Sequence, residues 1–281
     1  MAAGGLAILA GRGELPRMIA EAEASAGRPY RVIELAGVPL PWAGAHPVIK
    51  AEFEKPGRLF KALRADGCDR IVLAGGIVRP SLNPLRFDRT MLRHAPKVLA
   101  GLKAGDDRTL RVVAELFEAE GLRLVAAQDV LGDLVAERGV LGRVAPSEAD
   151  RADAARAAEI VAALGRADVG QGAVVAQGLC LGVETIQGTD AMLSFVAETA
   201  AGARPDSEGA RGVFFKGPKP GQDLRMDLPA IGAGTVASVS AAGLAGIALA
   251  AGGVLVIDRP AVLEAADAAG IFVWGREGDA S

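Results

Sequence analysis

The chain has few of the side chains that carry much of enzyme chemistry. Its 281 residues include two histidines, His46 and His94, and two cysteines, Cys68 and Cys180. Neither histidine lies near a nucleophile motif, and the cysteines have no metal-ligand spacing, so a histidine-based triad or a zinc site has little to rest on. We expect both cysteines in the core of a protein from a reducing compartment. Ionic chemistry then falls to carboxylates and lysines.

An excess of charge of one sign is also missing. The chain has 31 basic and 34 acidic residues, a formal net charge of −3, and no basic run long enough to follow a phosphate backbone. Nucleic acid is therefore not an expected partner. The first residues lack a cationic region, and their apolar run ends in a glycine loop, which indicates no signal peptide and predicts a cytoplasmic protein.

One long stretch, 228–257, contains no charged residue and is long enough to span a bilayer. Glycines and hydroxyl residues interrupt its hydropathy. The pattern predicts a loop and helix cap at 232–235, a buried helix over 236–251 and a central strand over 254–257. We therefore expect a buried segment of a globular domain here and not a membrane span.

Strands and helices alternate along the first half of the chain, which is typical of a parallel sheet covered by helices. The sequence predicts an α/β protein with an N-terminal Rossmann-like domain, residues 1–135, and a second α/β domain, residues 146–281. Gly139, Gly142 and Pro146 interrupt both periods in the linker between them. The predicted N-terminal strands are 6–10, 30–35, 70–74 and 122–126, with helices over 15–25, 58–65 and 108–120. The predicted C-terminal elements are helices over 148–164 and 191–200, a hairpin of 173–176 with 179–185, and a strand over 271–274.

Two glycine turns follow predicted strands. Gly11-Arg12-Gly13-Glu14-Leu15-Pro16 precedes a helix, where free N–H groups and the helix dipole favour a phosphate. Pro16 replaces the third glycine of a dinucleotide fingerprint, although Glu34 lies where a ribose-binding acid is expected. In the second turn, Gly75 and Gly76 precede Arg79, a candidate anion ligand. A plain tight turn and a surface arginine remain the alternatives.

A lysine-rich segment follows near residue 216. Pro218 and Pro220 favour extended polyproline geometry, which places Lys216 and Lys219 on one face about 9 Å apart, suited to a diphosphate. From Gln222 to residue 228 charged and apolar residues alternate, which predicts a half-buried strand.

The charged face of that predicted strand carries Asp223, Arg225 and Asp227. The two aspartates are then about 13 Å apart and do not share one metal ion unless the strand bends. An exposed, salt-bridged edge strand is the alternative. Thr189 and Asp190 start a helix after a glycine turn, and they either cap that helix or face a ligand.

These pieces together resemble one family, the LpxI-type UDP-2,3-diacylglucosamine pyrophosphatases of bacterial lipid A synthesis. The resemblance runs nearly from end to end, and its most specific blocks are the last two. The matching blocks are Gly11–Pro16, Gly75–Pro80, Gly105-Asp106-Asp107, Asp168-Val169-Gly170-Gln171, Gly188-Thr189-Asp190-Ala191-Met192 and Lys219-Pro220-Gly221-Gln222-Asp223-Leu224-Arg225-Met226-Asp227-Leu228-Pro229.

The resemblance implies metal-dependent hydrolysis of the diphosphate of UDP-2,3-diacylglucosamine, with Mg²⁺ or Mn²⁺, to UMP and 2,3-diacylglucosamine 1-phosphate (lipid X). It also implies two domains with the substrate between them, the acyl chains in a lipid cavity of the C-terminal domain, and at most peripheral contact with the inner membrane. A homodimer is left open. The expected catalytic residues are Asp223, Asp227, Lys216 and Lys219, with Asp223 on the metal. The expected substrate-binding residues are Gly11, Gly13, Gly75, Gly76, Arg79, Thr189, Asp190, Gln222 and Arg225.

Two other classes of function remain open from the sequence. A nucleotide-sugar or dinucleotide-dependent enzyme would be built on the Gly11 turn and would bind a nicotinamide cofactor. A non-enzymatic lipid carrier would need an apolar cavity but neither Asp223 nor the lysine pair.

Overall fold

Two separate sheets organise the chain. The computed structural model describes residues 4–76, 81–103, 106–132, 134–226 and 228–278. By their internal contacts the residues divide into an N-terminal unit, 1–132 with 223–227, and a C-terminal unit, 133–222 with 228–281. Each unit is built from helices and strands, so the predicted α/β class and two-domain organisation are confirmed. The boundaries predicted at 135 and 146 stay a prediction.

The N-terminal unit contains a five-stranded parallel sheet. Its strands are β1 (Gly5–Ala10), β2 (Tyr30–Leu35), β3 (Val48–Ala51), β4 (Cys68–Ala74) and β5 (Arg123–Leu124). The strand order is β3-β2-β1-β4-β5, with parallel pairing throughout. The chain order reverses between β1 and β4, and the carboxyl ends of two such strands are the usual ligand crevice of a parallel sheet.

Five α-helices of the described residues accompany this sheet. They are α1 (Leu15–Ser25), α2 (Pro56–Ala65), α3 (Arg89–Leu102), α4 (Asp106–Ala119) and α5 (Ala127–Val130). The sequence did not predict β3, which is short, or α3, which contains Pro96. Helix α3 nevertheless has a strong start, because the Asp88 side chain accepts a hydrogen bond from Met91 N at 2.8 Å.

The C-terminal unit contains a six-stranded mixed sheet. Its strands are β6 (Gly139–Val140), β7 (Gly172–Ala176), β8 (Leu179–Val183), β9 (Val213–Lys216), β11 (Gly246–Ala250) and β13 (Phe272–Arg276); a separate pair is β10 (Ala230–Ile231) with β12 (Leu255–Val256). The sheet order is β6-β13-β11-β9-β7-β8. The helices are α6 (Glu148–Arg166), α7 (Thr189–Thr199), α8 (Ala233–Ala241) and α9 (Arg259–Ala269).

Two apolar clusters cover the two faces of this sheet. Phe214 packs in one cluster with residues of α7, α8 and α9, whereas its neighbour Phe215 packs in the other with residues of α6. Successive side chains of a strand point to opposite faces, so a strand buried on both faces must be apolar at every position. This explains the apolar runs of β11 and of β9 up to Phe215, and it makes the buried Lys216 at the end of β9 an exception.

The uncharged stretch 228–257 folds differently from the prediction in its middle part. The expected single helix over 236–251 is wrong: α8 ends at Ala241 and β11 begins at Gly246. Gly243, at a φ of +66°, ends the helix with its N–H bonded to Ser240 O at 2.9 Å. A strand is found within the predicted range 254–257, as β12, but it lies in the separate pair with β10, so the prediction of a central strand is wrong. Within the described residues, no helix combines the length and hydropathy needed to cross a membrane.

The two cysteines differ in their surroundings. Cys68 is buried at the start of β4, as predicted, but Cys180 is exposed on β8, so the prediction that both lie in the core is wrong. Strand β8 is the edge of its sheet, and a run that reads as apolar therefore keeps several side chains in solvent.

Candidate active site

The two predicted glycine turns of the N-terminal unit lie against each other. Gly11 N donates to Ala74 O at 2.7 Å, and Arg12 and Gly76 exchange two backbone hydrogen bonds of 2.8 and 3.0 Å. A Cβ atom on Gly11 would lie 2.6 Å from the carbonyl group of Gly75. These glycines therefore permit a close approach of two backbones at the carboxyl ends of β1 and β4.

Gly13 and Gly76 have different roles in this arrangement. Gly13 has a φ of +98°, which disfavours any other side chain there whether or not a ligand is present. Gly76 has no such restriction, and a Cβ atom built on it meets no atom within 4 Å. Gly76 thus presents bare backbone to open space. Arg79 lies outside the described residues.

An apolar cavity of about 290 Å³ lies in the N-terminal unit beside these turns. It is lined by Gly75 and Gly76, by residues of β1 and β2, and by residues of α2, α3 and α4, among them Phe60, Met91 and Phe117. Among the described residues that line the cavity, Glu52 and Thr109 are the ones with polar side chains. An apolar lining with few polar groups is typical of small-molecule sites.

Residues 223–226 form a turn and not the predicted strand. Met226 N donates to Asp223 O at 3.0 Å, and the Arg225 guanidinium donates to both carboxylate oxygens of Asp223, with a shortest distance of 2.6 Å. Arg225 N also donates to Asp223 Oδ1 at 3.0 Å. An aspartate that bonds groups two residues ahead competes with a regular strand, which explains the failure of the prediction. Asp227 lies outside the described residues.

The arginine stabilises the charged form of Asp223. Its hydrogen bond lowers the pKa of Asp223 below the ordinary value, against the opposing effect of partial burial. The Asp223 side chain remains 28% exposed. The carboxylate is therefore ionised at neutral pH and accessible, as a metal ligand must be.

A metal site with three protein ligands is not preformed in the part of the chain that the structure describes. No three His, Cys, Asp or Glu side chains come together there. Mg²⁺ is often held by only one or two carboxylates, with phosphate oxygens and water as the remaining ligands. Ionised Asp223 fits such a site, in which the substrate would supply most of the ligands.

In the C-terminal unit a buried lysine forms the centre of a second cluster. Lys216, the last residue of β9, is 5% exposed, and its Nζ donates to Thr189 Oγ1 at 2.5 Å and to Glu184 Oε2 at 3.4 Å. Thr189 is the first residue of α7, and its N-cap Gly188 has no side chain to bond the first N–H groups. A cation, a hydroxyl group and a helix N-terminus thus meet in one place, which is a combination that favours an anion.

Glycines allow Glu184 to reach this position. A Cβ atom on Gly170 would lie 2.0 Å from Glu184 O, and one on Gly172 would lie 2.6 Å from Glu184 Oε2. Glu184 is 8% exposed, so it forms a buried ion pair with Lys216. Its carboxylate offsets the lysine charge and fixes where the ammonium group points.

The second predicted lysine has a separate partner. Lys219 Nζ donates to Asp168 Oδ1 at 2.5 Å, and the Lys219 backbone N–H donates to Gln222 Oε1 at 2.9 Å. A Cβ atom on Gly165 would lie 2.6 Å from Pro220 Cδ, so the end of α6 packs closely on this segment. The two ammonium groups therefore bond different carboxylates, and whether both bind one diphosphate stays a prediction.

The structure thus groups the predicted residues in four places, one of which is the contact of Lys219 with Gln222. Gly11, Gly75 and Gly76 meet at one turn pair, and Asp223 pairs with Arg225. Lys216 contacts Thr189, whereas Asp190 is exposed in the first turn of α7. The prediction did not assign Glu184 and Asp168 as lysine partners. Two buried or half-buried lysines in an apolar sequence context indicate that carboxylate partners exist. They do not indicate which carboxylates these are.

Comparisons with known proteins complete this description. Among solved structures, an N5-carboxyaminoimidazole synthase from Aspergillus clavatus in complex with ADP aligns at a TM-score of 0.23 and 16% identity, over 62% of this chain and 38% of that one. A similarity this low carries no argument. Residues 5–134 match the family model of the LpxI N-terminal domain, and residues 137–274 match that of the LpxI C-terminal domain. The chain is 42% identical over 270 residues to UDP-2,3-diacylglucosamine pyrophosphatase LpxI of Caulobacter vibrioides, covering 96% of each chain.

Proposed function

Since this chain belongs to the LpxI family, we propose that it hydrolyses the diphosphate of UDP-2,3-diacylglucosamine in a metal-dependent reaction of lipid A synthesis. Water attacks one phosphorus, the bridging P–O bond breaks, and the products are UMP and 2,3-diacylglucosamine 1-phosphate, lipid X. The observation that carries the proposal is the full-length similarity to the Caulobacter pyrophosphatase. The geometry of the lysine cluster supports it.

Lys216 and Lys219 are proposed to neutralise the diphosphate. Lys216 lies at the N-terminus of α7, where Thr189 Oγ1 accepts its hydrogen bond and keeps its own proton for a phosphate oxygen. The ammonium group is positioned before substrate arrives, so little reorganisation is needed as charge develops on the leaving phosphate. Asp190, which follows Thr189, and Gln222, three residues after Lys219, are proposed as further substrate ligands.

The N-terminal unit, in the proposal a Rossmann-like domain, is assigned the uridine nucleotide. Gly76 exposes backbone at the carboxyl end of β4, at the strand reversal where parallel sheets bind ligands. Gly11 and Gly75 hold the two turns together, and Gly13 completes the first turn. Arg79 is assigned a phosphate contact in this proposal.

Mg²⁺ or Mn²⁺ is proposed as the cofactor, with Asp223 as its protein ligand. Such an ion supplies charge neutralisation on phosphoryl oxygens and acidifies a bound water. Arg225 lowers the pKa of Asp223 and fixes the orientation of its carboxylate. Asp227 is assigned to orienting Arg225 or the water, and the roles of the two aspartates are exchangeable.

The experiment is a hydrolysis assay of the purified chain on UDP-2,3-diacylglucosamine, first with EDTA and then with added Mg²⁺ or Mn²⁺. We expect UMP and lipid X in equal amounts, and turnover only after metal is restored. Bound lipid without turnover at any metal concentration would instead favour a carrier. A fluorescence titration with NADH checks the dinucleotide alternative, and saturable binding there would contradict the proposal.

A further inference from the structure

One segment of the N-terminal unit has an excess of positive charge. Residues 84–103, which include α3, contain five lysines or arginines and one aspartate, a net charge of +4 with histidine neutral, whereas the whole chain has −3. The aspartate is the N-cap of α3 and bonds two backbone N–H groups at 2.8 Å. The remaining charge of this segment is of a single sign, although one of its five cations, Arg86, is paired with Glu52 outside the segment.

Three leucines in the same segment are in solvent. Leu85 is 95% exposed, Leu92 59% and Leu99 38%. Leu92 and Leu99 are seven residues apart on α3, about two helical turns, so they lie one above the other on the same side of the helix. A single exposed leucine is ordinary, but a row of them beside positive charge needs an explanation.

The exposed leucines extend an apolar face whose inner part is covered. Met91, Val98 and Leu102 of α3 line the apolar cavity of about 290 Å³. Leu92 and Leu99 each follow one of these residues directly, about 100° further round the helix. The apolar arc of α3 is therefore wider than the surface that the N-terminal unit covers.

Positive side chains border the outer edge of that arc. At about 100° per residue, Arg89, Arg93 and Lys97 follow the leucines round the helix in that order. All three are exposed, and no carboxylate of the described side chains lies within ion-pair distance of them. Exposed leucines flanked by unpaired cations are the pattern of a helix that lies in a membrane interface.

We propose that α3 and the turn before it dock on an anionic lipid bilayer. Leu85, Leu92 and Leu99 enter the boundary between headgroups and acyl chains, and the flanking lysines and arginines contact lipid phosphates. A nucleic acid would use the cations but leave the leucines in water. A second copy of the chain would cover the leucines but place two segments of +4 against each other, which is unfavourable. An anionic bilayer satisfies both features.

The test is flotation of the full-length protein with vesicles of phosphatidylcholine alone or of phosphatidylcholine with a quarter phosphatidylglycerol. We expect binding to the anionic vesicles that weakens as salt is raised. Leu92→Gln/Leu99→Gln should lower the partition coefficient about tenfold or more. Arg93→Gln/Lys97→Gln should lower it about thirtyfold, since each cation near an anionic surface contributes about fivefold.

Matched control variants separate a local effect from a general one. Phe195→Gln removes a side chain that is 56% exposed in the C-terminal unit, and Arg166→Gln/Arg211→Gln removes two exposed cations there. Both controls should bind vesicles like the wild-type protein. Equal loss in controls and α3 variants would overturn the proposal, as would wild-type protein that floats with neither vesicle.

Self-association is a distinct outcome that the same variants reveal. If sedimentation equilibrium shows a dimer that Leu92→Gln/Leu99→Gln dissociates while no vesicle binds, the leucines cover a second copy and the proposal is wrong. Vesicle binding does not depend on the proposed hydrolysis. A wild-type protein that floats but does not hydrolyse UDP-2,3-diacylglucosamine refutes the function alone, and one that hydrolyses detergent-dispersed substrate but never floats refutes the docking alone.

Discussion

The two lysines of the C-terminal unit should differ in what they contribute to stability. The Lys216 and Glu184 side chains are 6% and 10% exposed, whereas those of Lys219 and Asp168 are 17% and 38% exposed. Replacing Lys216 by methionine keeps most of the length of the side chain but leaves the Glu184 carboxylate buried without its cation. Breaking a buried pair in this way costs about 3–5 kcal/mol, whereas a pair with solvent access contributes at most about 1 kcal/mol.

These magnitudes predict separate thermal midpoints. About 3–5 kcal/mol corresponds to a fall of about 10 °C for a domain of this size, and Lys219→Met should shift the midpoint by no more than about 3 °C. The double variant Lys216→Met/Glu184→Gln should recover part of the loss, because the stranded charge is gone. The assay is thermal unfolding followed by circular dichroism at pH 7.

Activity measured on the same variants completes the prediction. Both lysine variants should lose about 10²-fold or more in kcat if each stabilises charge on the diphosphate. Equal midpoints for Lys216→Met and Lys219→Met would refute the buried pair. Unchanged turnover in both variants would refute their assignment to the diphosphate.

Three further predictions concern the N-terminal turns, the thiols and the acidic turn. Gly11→Ala should lower the thermal midpoint, since its Cβ would lie 2.6 Å from backbone atoms, whereas Gly76→Ala should fold normally and raise KM for UDP-2,3-diacylglucosamine. One thiol, Cys180, should react with Ellman's reagent in the native protein, and Cys68, whose pKa is raised by burial, should react only on unfolding. The pKa of Asp223 is lowered on folding, so the ionised carboxylate stabilises the folded protein, by about 1 kcal/mol at most for an exposed pair. This contribution should hold from pH 7 to 5 and fade below about pH 4. The measurement is the free energy of urea unfolding as a function of pH, compared with that of Asp223→Asn.

The sequence predicted strands correctly wherever a single hydrophobic period dominated a segment. The strands around residues 6–10, 30–35 and 70–74 have buried apolar runs bounded by glycine or polar residues, and each is found where it was predicted. The two glycine turns were also predicted at strand ends. Their mutual contact depends on β1 pairing with β4, a long-range choice that no local pattern encodes.

The wrongly predicted elements have local causes that the hydrophobic period of the sequence does not reveal. Alternation from residue 222 onward resembles a strand, but Asp223 and Arg225 bond each other and close a turn. The alanine-rich run after 236 resembles one helix, but Gly243 ends it. Side-chain partners were the least predictable, since Glu184 and Lys216 are 32 residues apart and meet only through the order of strands in the sheet.

The same limit applies to the surface of the N-terminal unit. Helix α3 was not predicted, because Pro96 interrupts the helical period. Its exposed leucines become visible only when the inner side of the helix is known to face the cavity. A surface for a partner is thus recognised after packing has been determined and not before.

The most direct test of the central claim is hydrolysis of UDP-2,3-diacylglucosamine in water enriched in ¹⁸O, with Mg²⁺ or Mn²⁺ present and the products analysed by mass spectrometry. The proposed reaction predicts one ¹⁸O atom in the phosphate of either UMP or lipid X, and none in the other product. Products without ¹⁸O would mean that the phosphate passes to an acceptor other than water. That result, or the absence of UMP and lipid X at every metal concentration, would contradict the proposed pyrophosphatase.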